Sequence, residues 1–95
     1  MKILAVEVEN KSALPEHFKP HFKNEAQRVW DLYKSGIIRE IYFTEEGHNA
    51  VIILECGSGR EAEEYLNSLP LVKENLISFN IMPLVPYEGF ERLFG

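Results

Sequence analysis

The sequence predicts an α+β domain in which a four-stranded antiparallel sheet is covered by two helices on one face. Segments with strand and helix patterns follow one another in the order strand, helix, strand, strand, helix, strand. The first and third strand segments contain continuous apolar runs, residues 3–6 and 51–54, which are typical of central strands buried on both faces. This element order is that of the ferredoxin-like βαββαβ fold.

The first half of the pattern lies between residues 2 and 36. Residues 2–9 are rich in Ile and Val and predict strand one. After His21, apolar side chains recur every three or four residues on one face of a helix, namely Phe22, Ala26, Val29 and Tyr33. Gly36 ends this helix, because glycine readily adopts the left-handed conformation of a C-terminal cap.

The second half of the pattern begins with two β-branched and aromatic runs, residues 37–44 and 50–56. Their short connection has a central Gly47 and predicts a hairpin of strands two and three. Ser58 and Glu61 have the capping-box spacing that starts the second helix, which Pro70 ends. Residues 77–82 alternate apolar and polar side chains, and the prolines that follow indicate an edge strand.

Composition places the chain among ordinary soluble proteins. The chain has 95 residues, of which 45% are hydrophobic and 26% charged. We expect residues 1–95 to form a single domain. The net charge of -5 argues against nucleic acid and anionic membranes as partners. Cys56 is the only cysteine, and neither an export signal nor a membrane-spanning run is readable, so we expect a cytoplasmic protein.

Two helices can cover only one face of the predicted sheet. The simplest cover for the other face is a second copy, sheet against sheet, so we expect a homodimer or a higher homo-oligomer that forms a dimeric α+β barrel. The tail, residues 87–95, contains three aromatic side chains. We expect it to dock on its own subunit or on the partner copy, with a foreign protein as the alternative.

Period-two counting along the strands predicts which side chains face the cavity that such a dimer would enclose. On strand four the apolar set Ile77, Phe79 and Ile81 is expected under the helices. The predicted inner face then comprises Ile3, Ala5 and Glu7, Glu40 and Tyr42, Val51, Ile53 and Glu55, and Ser78, Asn80 and Met82. Its polar members would lie in an otherwise apolar cavity, which is the usual make-up of a small-molecule site.

These polar side chains suggest proton-transfer chemistry. A carboxylate in a partly desolvated cavity has a raised pKa and can exchange protons near neutral pH. Glu40 and Glu7 are therefore the candidate catalytic residues, with Tyr42, Asn80, Ser78 and His48 as candidate substrate-binding residues. The alternative is that they are hydrated at the sheet ends or paired with Arg39.

No metal site is predicted. His17 and His21 have the spacing of two ligands on one helix face, but Pro20 lies between them and no third ligand follows nearby. We expect neither a metal nor an organic cofactor.

Several pieces of the sequence are similar to one known family. They are residues 24–28, Gly36, residues 37–42, Gly47-His48, residues 67–71 and residues 79–84. Over roughly residues 22–86 the chain resembles the muconolactone delta-isomerase-like proteins of the dimeric α+β barrel superfamily. The resemblance implies an enzyme that moves a proton within an unsaturated lactone without a cofactor, and a cavity lined by Glu40 and Tyr42.

Two classes of function follow. The first is a cofactor-independent isomerase-like enzyme acting on an unsaturated lactone or a related enolisable small molecule. The second is a non-catalytic homo-oligomeric domain that binds a ligand or a partner, since the chain has no histidine or cysteine constellation. A cofactor-independent monooxygenase is a third possibility that no residue favours.

Overall fold

The computed structural model describes residues 1–95 and has the predicted ferredoxin-like α+β fold. The sheet contains β1 (Lys2–Glu9), β2 (Ile38–Phe43), β3 (Ala50–Glu55) and β4 (Ile77–Pro83), in the antiparallel order β2-β3-β1-β4. The helices are α1 (Pro15–Phe18), α2 (Phe22–Lys34), α3 (Gly59–Leu66) and α4 (Pro70–Lys73), with 3-10 turns at Lys19–His21 and Gly89–Leu93. No helix combines the length and apolarity that crossing a bilayer requires.

The ends of the longer helices follow the predicted signals. Ser58 caps α3 by accepting a hydrogen bond at Oγ from the Glu61 N–H at 3.2 Å. The Glu61 carboxylate reaches back to the N–H of Gly57 at 3.1 Å, one residue before the partner that the capping box predicts. Gly36 has φ +83 after α2, the left-handed conformation that glycine favours.

Pro70 does more than end a helix, because it also begins the short helix α4. The helix interior excludes proline, but the first helical position has no intrahelical N–H bond to lose. Leu69 before it is extended, at φ -73 and ψ 132, which suits a residue that precedes proline. The extra turn brings the backbone N–H of Leu71 toward α2, where it becomes part of the site described below.

The hydrophobic core lies between the sheet and its helices. Leu32 of α2 and Leu66 of α3 are nearly fully buried, at 2% and 1% exposure. Leu69 belongs to the same core cluster and has no exposed surface. Burying each of these side chains stabilises the fold by about 1.5–3 kcal/mol, so both helices are held to this face mainly by apolar contact.

The side chains of β1 face the opposite way from the prediction. Ile3 and Ala5 are fully buried beneath the helices, where they lie opposite Leu54 and Ile52 of β3. Side chains alternate along a strand, so Glu7 shares this face. The predicted position of Glu7 on the open face of the sheet is therefore wrong, whereas the predicted faces of β2, β3 and β4 are confirmed by the strand register.

The error on β1 has a physical cause. The open face of this strand holds three apolar side chains, Leu4, Val6 and Val8, whereas the helix-facing set ends in Glu7 and Glu9. The alternation of apolar and polar residues therefore predicts that Leu4, Val6 and Val8 face the core, although they lie on the open face. A strand that is apolar on both faces cannot report by itself which face the helices cover.

The open face of the sheet has no helix packed on it. Its apolar side chains are Leu4, Val6, Val8, Val51, Ile53 and Met82. Val8 and Met82 are 43% and 44% exposed. An uncovered apolar surface of this kind is typical of an interaction face.

The C-terminal tail, residues 87–95, leaves most of its large side chains exposed, in a chain whose dimensions are 57 × 28 × 21 Å. Tyr87 and Phe90 pack edge to face with ring centroids 4.9 Å apart. Phe94 nevertheless remains 88% exposed and Leu93 78% exposed. The tail is thus not docked on the core of its own subunit, and docking on a partner stays a prediction.

Candidate functional site

A cavity of ≈ 800 Å³ lies between the sheet and the helices, on the face opposite to the predicted one. Apolar side chains from both layers form most of its wall, among them Phe18, Phe22, Val29, Phe43, Ile52 and Phe79. The ionisable residues that line it are Glu7, Glu9, Lys19, Glu25, Tyr42 and His48, although the side chain of Tyr42 lies on the open face of β2. A concave, largely apolar space with a few polar groups is the usual form of a small-molecule site.

Glu7 reaches this cavity from the central strand β1. The paired residues of β1 and β3 end at Val6 and Val51, so the next N–H of β3, that of Ala50, has no main-chain partner on this side. The carboxylate of Glu7 accepts a hydrogen bond from this N–H at 2.9 Å. A single neutral donor holds the side chain in place, and no cationic group forms an ion pair with it.

Glu25 reaches the same cavity from α2, in the opposite layer. Its Oε1 accepts a hydrogen bond from the N–H of Leu71 at 2.9 Å. Burial raises the pKa of Glu25 above its usual 4.5, and the negative charge of Glu7 raises it further. The Leu71 N–H and the charge of His21 oppose this rise without cancelling it. A carboxyl group of this kind exchanges protons closer to neutral pH than an exposed one.

Glu25 was missed as a site residue by the sequence reasoning, although the sequence contains a signal for it. It lies three residues after Phe22 and four before Val29, within the apolar stripe of α2. A carboxylate inside an apolar stripe is turned toward the core, where it must find a donor. The donor comes from α4, a helix that the sequence analysis did not predict.

His48 is placed at the cavity by the hairpin between β2 and β3. Its φ of 52 is in the left-handed region, and its ring stacks on Phe43 with centroids 4.0 Å apart and planes 16° apart. The side chain lines this cavity, which is on the other side of the sheet from the predicted one, and its role in substrate binding stays a prediction. No hydrogen bond to its ring nitrogens orients it from within the chain.

Glu40 and Tyr42 lie side by side on the edge strand β2. The phenol of Tyr42 donates a hydrogen bond to Oε1 of Glu40 at 2.8 Å. This bond, together with the charge of Glu40, raises the pKa of Tyr42 above its usual 10.0. Arg39 does not pair with Glu40, because its Nε donates to the Gly36 carbonyl at 2.6 Å instead.

The predicted polar cluster does not assemble within one chain. Ser78 and Asn80 lie on β4, at the opposite edge of the sheet from Glu40 and Tyr42. Three strand spacings of about 4.8 Å separate the two edges, or roughly 14 Å. Glu7 is on the other face altogether. The structure therefore brings Glu7 together with Glu25 and His48, and leaves the other four candidates in two separate pairs.

A second concave surface shares residues with the cavity, whereas a buried cysteine lies in the core and is not among the residues that line it. A shallow groove of ≈ 600 Å³ between α2 and β2 is lined by Trp30, Tyr33 and Tyr42, with the first two rings stacked at 5.9 Å. Cys56 is buried and unpaired, and desolvation raises the pKa of its thiol, so it packs as a small apolar side chain. No group of three or more His, Cys, Asp or Glu side chains is arranged to hold a metal ion.

Comparison with solved structures identifies two proteins of the same architecture. One is a 5-chloro-2-hydroxyhydroquinone dehydrochlorinase from Burkholderia phenoliruptrix AC1100, solved as a complex with 2,5-dihydroxybenzoquinone. It is 13% identical with a TM-score of 0.73, over 93% of this chain and 97% of that chain. The other is muconolactone isomerase, 13% identical with a TM-score of 0.74, over 93% of this chain and 92% of that chain.

The chain has the fold of muconolactone isomerase. The structural likeness confirms the resemblance that the sequence suggested, at the level of the fold. At 13% identity it does not transfer a substrate or a residue role. No protein-family model matches the sequence, and no curated protein matches it.

Proposed function

We propose that the protein is a small-molecule isomerase- or lyase-like enzyme that transfers a proton without a cofactor. Its substrate would be an unsaturated lactone or a related enolisable ring compound, bound between the sheet and the helices. The observation that supports this most directly is the pair of carboxylates, Glu7 and Glu25, that line one apolar cavity. The fold shared with an isomerase and a dehydrochlorinase is consistent with it.

In the proposed mechanism, Glu25 is the group that exchanges the proton. Its carboxylate removes a proton from the carbon next to a carbonyl, which leaves a neutral carboxyl group and an enolate. Return of the proton to another carbon of the conjugated system gives the isomer and restores the carboxylate. The raised pKa of Glu25 suits both steps, because the group is then a stronger base and still a usable acid near neutral pH.

Glu7 and His48 would position the substrate, whereas Glu25 alone would exchange the proton. Glu7, fixed by the Ala50 N–H, would accept a hydrogen bond from a hydroxyl group of the substrate. His48 lines the cavity beside Phe43 and could donate from its ring to the carbonyl oxygen that gains charge in the enolate. The apolar walls would exclude water from the enolate.

The experiment is a screen of unsaturated lactones and enolisable cyclic ketones for enzyme-catalysed C–H exchange in D2O, followed by proton NMR. With an identified substrate, Glu25→Gln should lower kcat by about 10²–10⁴-fold, the usual contribution of a positioned acid or base. Glu63→Gln, on the exposed surface of α3 outside the cavity, is the matched control. Unchanged turnover in both Glu25→Gln and Glu7→Gln would refute the assignment.

The proposal includes a homodimer formed through the open face of the sheet. The apolar side chains of that face, Val6 and Ile53 at its centre among them, need a cover that the chain itself does not supply. The exposed aromatic side chains of residues 87–95 would dock on the second copy. The single cysteine, buried and unpaired, suits a reducing, cytoplasmic setting.

A non-catalytic binding domain is the second candidate. Its support is the placement of Glu40 and Tyr42, which bond to one another rather than converge with Asn80 and Ser78 on a common point. These four side chains would then contribute to the dimer interface or to a ligand held between two copies. A binder would show saturable ligand affinity with no C–H exchange in any compound of the screen.

A further inference from the structure

The cavity between sheet and helices has an unbalanced set of charges. Three carboxylates line it, those of Glu7, Glu9 and Glu25, against one ammonium group, that of Lys19, and the imidazole of His48. Lys19 is exposed, so water screens its charge, whereas Glu7 and Glu25 are half-buried. The interior of the cavity is therefore more negative than its rim.

Neither of the inner carboxylates forms an ion pair, although the charge of His21 acts on Glu25. The two ion pairs of the chain join the N-terminus to Glu55 and Arg60 to Glu64, and none of these groups lines the cavity. Glu7 and Glu25 are bonded only to neutral backbone N–H groups, at 2.9 Å each. An anionic ligand placed between apolar walls beside them would meet repulsion from two carboxylates that have no ion-pair partner.

We propose that the cavity selects uncharged ring compounds whose polar groups are hydroxyls or carbonyls, and rejects carboxylates and other anions, with Glu7 and Glu25 as the residues that determine this selectivity. Hydroxyl groups suit the site because both carboxylates have oxygen lone pairs free to accept from them. The aromatic side chains of Phe18, Phe22 and Phe43 suit a flat ring. This inference names the substrate class of the proposed function and uses the same cavity.

A matched pair of fluorescent dyes tests the charge selectivity without any need for turnover. The neutral dye is N-phenylnaphthylamine and the anionic one is its ring-sulfonated analogue, and both brighten in apolar sites. Each is titrated into the full chain at neutral pH. Because sulfonation by itself weakens apolar binding, the decisive quantity is how the ratio of the two dissociation constants changes on substitution.

The double variant Glu7→Gln with Glu25→Gln should shift that ratio toward the anionic dye by about tenfold, with the neutral dye little affected. Gln retains an oxygen that can accept from Ala50 and Leu71, so the hydrogen bonds can persist. The double control Glu63→Gln with Glu74→Gln changes the net charge equally but lies outside the cavity, and should leave the ratio unchanged. If the double variant does not fold, Glu9→Gln should cause a smaller shift of the same sign, since its exposed side chain makes no hydrogen bond.

An unchanged ratio in the folded double variant would overturn the proposal, as would an equal shift in the control. Failure of the neutral dye to bind would also overturn it, because an open apolar cavity is required. Failure of the proposed function is distinguishable from these outcomes. In that case the dye ratio shifts as expected while no compound of the C–H exchange screen turns over.

Discussion

The carboxylate of Glu7 accepts a hydrogen bond from the backbone N–H of Ala50 at 2.9 Å, where the paired residues of β1 and β3 end. The side chain thus supplies an acceptor for an N–H group of β3 that no longer has a main-chain partner on β1. An acidic residue at this position serves the fold and the cavity at once. A substitution of Glu7 must therefore retain an acceptor if its effect on the site is to be separated from its effect on stability.

Glu25 should make the stability of the protein depend on pH. Burial raises its folded-state pKa above 4.5, so between pH 4.5 and that pKa the folded state binds more protons than the unfolded state. The contribution of this group to the free energy of unfolding is therefore greatest below pH 4.5 and is lost as pH rises through the folded pKa. Urea unfolding at several pH values should show a smaller decline across this window in Glu25→Gln than in the wild type. Glu63→Gln should retain the wild-type decline, and an identical slope in Glu25→Gln would contradict the prediction.

The pair of Glu40 and Tyr42 should be visible in the titration of the phenol. The hydrogen bond to the carboxylate and the negative charge of Glu40 both disfavour the phenolate, which raises the pKa of Tyr42 above 10.0. In Glu40→Gln the charge is removed, so the pKa should fall back toward 10.0. The measurement is the ¹³C chemical shift of the Tyr42 ring carbon that bears the hydroxyl, followed against pH by NMR. Glu63→Gln is the control, and an unaltered midpoint in Glu40→Gln would show that the bond does not form in solution.

Leu66 should be among the side chains on which the fold depends most. It is 1% exposed and lies on the face of α3 that packs on the sheet. Leu66→Ala should lower the free energy of unfolding by about 2–5 kcal/mol, because the removed methyl groups leave a cavity in the core. Leu14→Ala makes the same chemical change at a side chain that is 50% exposed and lies outside both the core and the tail, and should cost clearly less. Urea unfolding at one fixed protein concentration compares the two, and equal losses would be inconsistent with the core described here.

The open sheet face should govern the oligomeric state. Light scattering over a range of concentrations should give the mass of a dimer or of a multiple of it for the wild type. Val6→Lys places a charge at the centre of this face and should weaken association by about 100-fold or more, since a buried ammonium group without a partner is strongly unfavourable. Asn67→Lys, at the exposed end of α3, should leave the mass unchanged. A wild type that stays monomeric at every concentration would argue against the dimer and against docking of the tail on a partner.

The placement of the candidate residues shows why the fold was easier to predict than the site. Proline, glycine and capping signals depend on a few neighbouring residues, so Ser58 and Gly36 mark the helix ends in the sequence itself. The facing of β1 depends on which of two apolar faces meets the helices, and Leu4 and Ile3 are equally good core residues. Neighbouring residues of a strand face opposite sides of the sheet, so choosing the Leu4 set as the core set predicted the wrong side for Glu7.

Glu25 is a different case, since its pattern was readable but its partner was not. A carboxylate three residues after Phe22 in an apolar stripe indicates a half-buried acid. Its significance depends on Leu71, which is 46 residues away in the sequence. No local pattern joins these two residues, because their contact results from the packing of α2 against α4.

By itself the sequence determined the order of the elements, the two central strands and the general class of an α+β fold, because these follow from local periodicity and from burial averaged along each strand. The tertiary structure alone decided which face of the sheet holds the cavity and which acids share it. That choice rests on the packing of helices against one of two nearly equivalent apolar faces, and on hydrogen bonds from Glu7 and Glu25 to backbone groups far away in the chain.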